Sequence, residues 1–121
     1  MNSTGSAVTA SIKQGEVFLV NFDPTLGAEA KKTGPAVVVS NDLNNAYSPI
    51  ISISLISSKV TRIYSFEVEI LSGRGGLKIR SKIMVNQTRA VDKIRLVKQM
   101  GHLPPKTMSL VDRALKLHHG L

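Results

Sequence analysis

The sequence predicts an α+β domain in which several short strands form a small, twisted, barrel-like sheet and one C-terminal helix packs on it. Runs of β-branched and aromatic residues recur at short intervals between Gly, Pro and Asn/Asp turn signals. Two of those runs alternate apolar and polar residues with a period of two. A sustained helical period appears only near the end of the chain, after Pro104-Pro105. At 121 residues there is material for one modest core, so a single domain is expected over 13–121, behind a disordered arm at 1–12 that begins MNSTGSAVTAS.

Each element has its own signal. Glu16 to Phe22 (EVFLVNF) is rich in strand formers and must stop at Asp23-Pro24, because proline has no N–H to give to a ladder. Thr25 to Thr33 (TLGAEAKKT) is long for a hairpin connection, and loops of that kind are often functional. Pro35 to Ser40 (PAVVVS) reads as a buried strand, and Asn41-Asp42 can cap a short helical turn through Tyr47 before Ser48-Pro49 stops it. In Ile50 to Ile56 (IISISLI), Ile51, Ile53 and Leu55 alternate with Ser52 and Ser54, the pattern of a half-buried strand. Phe66 to Ile70 (FEVEI) alternates more cleanly, which assigns Phe66, Val68 and Ile70 inward and Glu67 and Glu69 outward.

Ser72 to Lys78 (SGRGGLK) is a turn whose glycines supply positive φ without steric cost, and it lacks the context of a phosphate-binding loop. Lys82 to Thr88 (KIMVNQT) is a further strand, Asp92 can cap a short helix over Lys93 to Leu96, and Leu96 to His102 can return as the last strand. Pro104 to His118 has proline in its first turn, Met108, Val111 and Leu115 as an apolar stripe flanked by Leu110, Ala114 and Leu117, and Gly120 as a stop.

Composition narrows the function. Zero cysteines exclude disulfides and thiolate metal sites, and His102, His118 and His119 have no carboxylate-rich surroundings, so no metal or other cofactor is called for. The N-terminal stretch lacks the basic and apolar regions of a signal peptide, and no window approaches the roughly 18 apolar residues of a membrane span; a cytoplasmic protein with no membrane partner is expected. Sixteen Lys and Arg against eight Asp and Glu give a formal charge of +8. Eight of those cations fall between Arg74 and Lys98, with Asp92 the one acid in the span. Such a block can follow a polyphosphate backbone by charge and counterion release. A solvated basic surface is the plainer account of the same residues.

The stretch Gly15 to Asp42 (GEVFLVNFDPTLGAEAKKTGPAVVVSND) resembles the MazF/PemK (Kid-like) toxins of bacterial toxin–antitoxin systems, where a strand ending near D-P-x-x-G is followed by G-x-E and an Arg-Pro strand. The likeness continues through Ser48-Pro49, an aliphatic strand ending in a small hydroxyl residue, the F-E-V strand, N-Q-T-R-A-V-D-K-x-R-L over Asn86 to Leu96, and a G-x-L-x-P-x-x-M helix entry. It implies an SH3-like β-barrel with a C-terminal helix and a homodimer. It further implies metal-independent cleavage of single-stranded RNA at short sequences, held in check by an acidic antitoxin protein.

Carried over residue by residue, the resemblance puts the catalytic Arg position at Gly34, the catalytic hydroxyl at Ser57 and the loop glutamate at Glu29. RNA contact is assigned to Lys31, Lys32, Arg80, Lys82, Asn86, Gln87 and Arg89. Gly34 departs from the pattern, since it supplies neither charge nor proton, and so does Asn86, where relatives commonly carry an acid. Removing one preorganised donor costs about 10²–10³ in rate. Lys31 and Lys32 are the nearest replacement cations along the chain, without arginine's forked geometry.

Two outcomes stay open at this point, an endoribonuclease of lowered activity or a catalytically inactive RNA- or antitoxin-binding homologue, with a basic module lacking any RNA role behind them. Structural accounts stand beside the functional ones. Gly34-Pro35 can simply turn the chain into its strand, Ser57 can cap a strand end, Arg89 can pair with Asp92, and Tyr47 and Tyr64 can be half-buried packing rather than stacking platforms.

Overall fold

The computed structural model describes residues 12–22 and 33–121. In chain order it contains β1 (Glu16–Asn21), β2 (Thr33–Val38), α1 (Asp42–Tyr47), β3 (Ile50–Ser57), β4 (Glu67–Ile70), β5 (Ser81–Asp92), a 3₁₀ turn (Lys93–Arg95), β6 (Leu96–His102) and α2 (Pro105–His119). The strands form one antiparallel sheet in the order β4-β5-β3-β2-β1-β6. No described helix is long and apolar enough to cross a membrane.

The central strands bury both faces. Val17 and Val37 enter one cluster with Ile56, Val68, Ile70, Ile83 and Val85, which Val111 and Ala114 of α2 cover. Phe18, Val20, Ala36 and Val38 point the other way and join Ile12, Ile51, Ile53 and Leu96. Neighbouring residues of β1 and β2 therefore serve opposite cores, which is why both strands read as near-continuous apolar runs. Ile12, which the sequence reading left in the arm, is 3% exposed in the second cluster. Residues 1–11 of the expected arm lie outside the described residues.

The expected barrel is not closed by strand pairing, since β4 and β6 end the sheet and do not pair with each other. The glycine-rich turn between β4 and β5 bridges them differently. A Cβ on Gly76 would lie 2.0 Å from the Met100 carbonyl oxygen of β6, and one on Gly101 would lie 2.7 Å from the backbone of Gly75. Main chain rests directly on main chain there, and Gly73, Gly75 and Gly76 all take positive φ as the turn reading required.

The local caps follow the sequence. Asn41 Oδ1 accepts from Asn44 N at 2.8 Å to start α1, Asp92 accepts from Ile94 N at 3.0 Å to start the 3₁₀ turn, and Gly120 ends α2 at φ 71°. Asn45, 1% exposed, exchanges hydrogen bonds with Ser40 and so ties the end of β2 to α1. Beneath α2, buried Ser54 shares a 2.6 Å hydrogen bond with Thr88.

The FEVEI strand departs from its alternation. The ladder begins at Glu67, so Phe66 stands outside it and is 36% exposed, while the Glu67 side chain is only 6% exposed and pairs with Lys82. Val68 and Ile70 are buried as expected. The inward assignment of Phe66 and the outward one of Glu67 are thus reversed, because an ion pair, not an aromatic ring, anchors the start of β4.

Candidate functional site

On the sheet face opposite α2, cross-strand pairing lines up the residues singled out in the sequence. Val20 of β1 pairs with Gly34 of β2, and Ser57 of β3 pairs with Lys82 of β5, itself paired with Glu69 of β4. Between β2 and β3 the paired residues run from Val38 with Ile53 to Ala36 with Leu55. The ladder ends at that pair, and its register, extended by two residues, would set Gly34 across from Ser57. Directly opposed residues share a face, so Val20, Gly34, Ser57, Lys82 and Glu69 make one row from β1 to β4.

Gly34 takes no positive φ, and among the described residues the nearest heavy atom to an added Cβ is a ring carbon of Phe22 at 3.4 Å, an ordinary contact. The backbone conformation and the described surroundings would both accept a side chain at position 34. The same Phe22 ring carries the Arg89 guanidinium 5.1 Å from its centroid. Phe22 thus touches both the place where a side chain is missing and a guanidinium delivered by β5. Arg89 forms this stack while Asp92 caps the 3₁₀ turn, so the Arg89–Asp92 pairing weighed from the sequence is not the arrangement found.

Ser57 is half-buried at the end of β3, and its Oγ accepts from Lys59 N at 3.1 Å. A hydroxyl oxygen that accepts there keeps its own proton and a second lone pair for another partner. Lys82, expected on RNA, is held elsewhere. Its ammonium donates to Glu67 Oε1 and to the Arg62 carbonyl, both at 2.9 Å, and its side chain is 11% exposed. Such a cation organises protein rather than reaching a phosphate. Arg80 pairs with Glu69 at the surface, where an ion pair contributes at most about 1 kcal/mol and can exchange for another anion.

Asn86 and Gln87 sit in a feature the sequence did not announce. Leu55 pairs with Met84 and the adjacent Ser54 with Thr88, so Val85, Asn86 and Gln87 have no partner on β3. This bulge leaves Asn86 and Gln87 exposed beside the row, while Val85 remains in the core. No glycine or proline marks the spot, and the one cue was polar residues interrupting the KIMV run. Glu29, Lys31 and Lys32 lie outside the described residues.

Sequence reading weighed Tyr64 as a stacking platform but missed the cluster that the β3–β4 loop builds around it. Tyr64 and Phe66 are stacked with ring centroids 5.3 Å apart and planes 7° apart, and the Arg62 guanidinium lies 5.5 Å from the Tyr64 centroid. Tyr64 N donates to Glu67 Oε1 at 2.9 Å, so the carboxylate that holds Lys82 also holds this loop.

The chain is 33% identical to the endoribonuclease MazF9 of Mycobacterium tuberculosis (strain ATCC 25618 / H37Rv) over 112 residues, covering 88% of this chain and 95% of that one. It is 32% identical over 107 residues to the endoribonuclease EndoA of Bacillus subtilis (strain 168), covering 88% and 92%. Among solved structures, MazF from Deinococcus radiodurans superposes with a TM-score of 0.75 at 22% identity, covering 92% of this chain and 98% of that one. A mycobacterial endoribonuclease in complex with its cognate antitoxin gives 0.73 at 16% identity, covering 92% and 95%. These two solved structures support the fold. Residues 13–119 match the family profile, and the chain belongs to the PemK-like, MazF-like toxins of type II toxin–antitoxin systems.

Proposed function

We propose that the chain is a toxin-type endoribonuclease that cleaves single-stranded RNA at short specific sequences without a metal ion, acts as a homodimer in the cytoplasm, and is neutralised by an acidic antitoxin protein. The observation that carries the reading is the register of Gly34 against Ser57, within a chain whose relatives over nearly their whole length are named endoribonucleases. In the reaction a ribose 2′-oxygen forms a bond to the neighbouring phosphorus while the bond from phosphorus to the 5′-oxygen breaks. The 2′-hydroxyl proton leaves to an acceptor, and the departing 5′-oxygen gains one.

Ser57 offers a hydroxyl to the phosphate, and Arg89, with Lys31 and Lys32, offers positive charge as negative charge gathers on the phosphoryl oxygens. Glu29 is the candidate proton carrier. Arg80, Asn86 and Gln87 contact the flanking nucleotides. Gly34 leaves the row one guanidinium short, so the rate is low rather than zero.

Gly34→Arg tests this directly. Cleavage of a long single-stranded RNA in EDTA is expected to rise by at least about 10²-fold, the size of one restored transition-state donor. Ser57→Ala added to Gly34→Arg is expected to remove most of the gain, because groups acting on one phosphate are not additive. Because an added Cβ at position 34 would meet only the Phe22 ring, at 3.4 Å, among the described residues, the melting temperature and the dimer mass by light scattering should stay as in the parent. A folded, dimeric Gly34→Arg protein that cuts no faster would refute the assignment of position 34, and the inactive RNA- or antitoxin-binding reading would replace it.

A further inference from the structure

We infer that the stacked Tyr64–Phe66 pair, with Arg62 beside it, is a nucleobase-binding platform that seats one base of the RNA strand next to the phosphate at Ser57. The inference rests on the ribonuclease reading for the identity of the strand and adds to it a subsite that the catalytic row does not contain.

Exposure comes first. Tyr64 is 46% and Phe66 36% exposed, and neither ring packs into either of the two apolar clusters. Rings that served only as packing would be turned in. With planes 7° apart they form one offset slab, the Arg62 guanidinium and the Lys82 ammonium lie 5.5 and 5.7 Å from the Tyr64 centroid, and both ring residues remain partly exposed. Every base has a π-face, so such a surface accepts any of the four.

Charge points the same way. Residues 58–66 (SKVTRIYSF) carry Lys59 and Arg62 and no acid, and the Arg62 guanidinium at 5.5 Å from the Tyr64 centroid adds a planar cation that can stack on a base or meet the phosphate between two bases. An apolar peptide side chain would gain nothing from that arrangement.

Position links the platform to the row. Glu67 Oε1 accepts from Tyr64 N and from Lys82 Nζ, both at 2.9 Å, and Lys82 also donates to the Arg62 carbonyl. Lys82 is the cross-strand partner of Ser57. The residue opposite the candidate catalytic hydroxyl therefore holds the ring-bearing segment at Arg62 directly and at Tyr64 through Glu67. A base seated there meets a surface already in place, without ordering a loop first.

The test uses fluorescence of 2-aminopurine, which is quenched when the base stacks, placed at successive positions of a single-stranded RNA whose ribose oxygens are 2′-O-methylated so that no cleavage can occur. The parent protein is expected to quench the probe at one or two positions only. Tyr64→Leu combined with Phe66→Leu is expected to abolish that quench and weaken binding about 10- to 100-fold, the effect of losing a stacked base. Tyr64→Phe should retain both signals. Uniform quenching along the strand, no RNA binding by the parent, or a Tyr64→Leu/Phe66→Leu protein that binds within about twofold of the parent would each overturn the platform, twofold being far below the loss of one stacked base.

Its failure and that of the ribonuclease reading separate cleanly. A platform that quenches and binds in a protein unable to cut RNA, even as Gly34→Arg, leaves the subsite standing without the nuclease. Cleavage that proceeds at the parent's rate and affinity with both rings replaced leaves the nuclease without the subsite.

Discussion

The connection from β3 to β4, residues 58–66, and the turn from β4 to β5, residues 71–80, are of similar length and flank the same short strand, yet they are held by opposite means. The turn is fixed by the absence of side chains: Gly75 and Gly76 press against the β6 main chain, and Leu77 from the same turn is buried in the core. The loop is fixed by side chains, an ion pair that grips its backbone at Arg62 and Tyr64 while its two rings face out. Close backbone contact makes a joint that leaves no room for a side chain at Gly76 or Gly101. Side-chain anchoring from below leaves the upper surface free to carry a ligand. The scaffold and the candidate subsite are thus adjacent segments with different physics.

The largest expected effect breaks the first kind of joint. Gly76→Ala would put a methyl group 2.0 Å from the Met100 oxygen at φ 78°, where neither partner is a flexible side chain. We expect a loss of about 4–5 kcal/mol, at the extreme end for single substitutions, read as a lower midpoint in urea unfolding. A midpoint within error of the parent would mean that the turn does not rest on β6.

Breaking the second joint should cost less and act locally. Lys82→Ala leaves the Glu67 carboxylate in a largely closed site without its cation, for a loss of about 3 kcal/mol, the low end for a buried pair because neither side chain is fully shut off from water. The local consequence separates the two joints. Amide exchange at Tyr64, and proteolysis between 58 and 66, should accelerate more than exchange in the glycine turn. Uniform acceleration across both segments would show that the ion pair supports the whole sheet rather than the loop.

The contrast also explains what was legible in the sequence. The glycine turn, the Asn41 and Asp92 caps, the long runs of β1 and β2 and the α2 stop at Gly120 were all readable, because each depends on a residue's own backbone preference or on period. Family resemblance singled out Gly34 and Ser57 one at a time, and their placement across from each other rests on extending the β2–β3 register beyond its last pair. Features that depend on pairing between distant residues were not readable. The bulge at Val85–Asn86–Gln87 arises from how β5 meets β3, and Glu67 is buried because Lys82, fifteen positions on, turns towards it. Alternation alone assigned Glu67 to water and Phe66 to the core. The stacked pair and the Arg89–Phe22 contact were hidden for the same reason.

The smallest effect sharpens the comparison inside the turn itself. Gly73 and Gly76 share positive φ, 84° and 78°, but a Cβ on Gly73 would meet nothing within 4 Å. Gly73→Ala therefore isolates the conformational cost from the steric one. The Gly73 N–H still donates to the Leu77 carbonyl, 2.7 Å away in the parent, and alanine keeps that donor. What remains is the penalty for an L-residue in the left-handed region, about 1 kcal/mol. If Gly73→Ala costs about 1 kcal/mol in the urea experiment where Gly76→Ala costs several, contact with β6 and not the turn's own geometry is the stronger demand for glycine. Equal losses at both positions would place the demand in the turn conformation alone, and the bridge between the sheet's two edges would lose its physical basis.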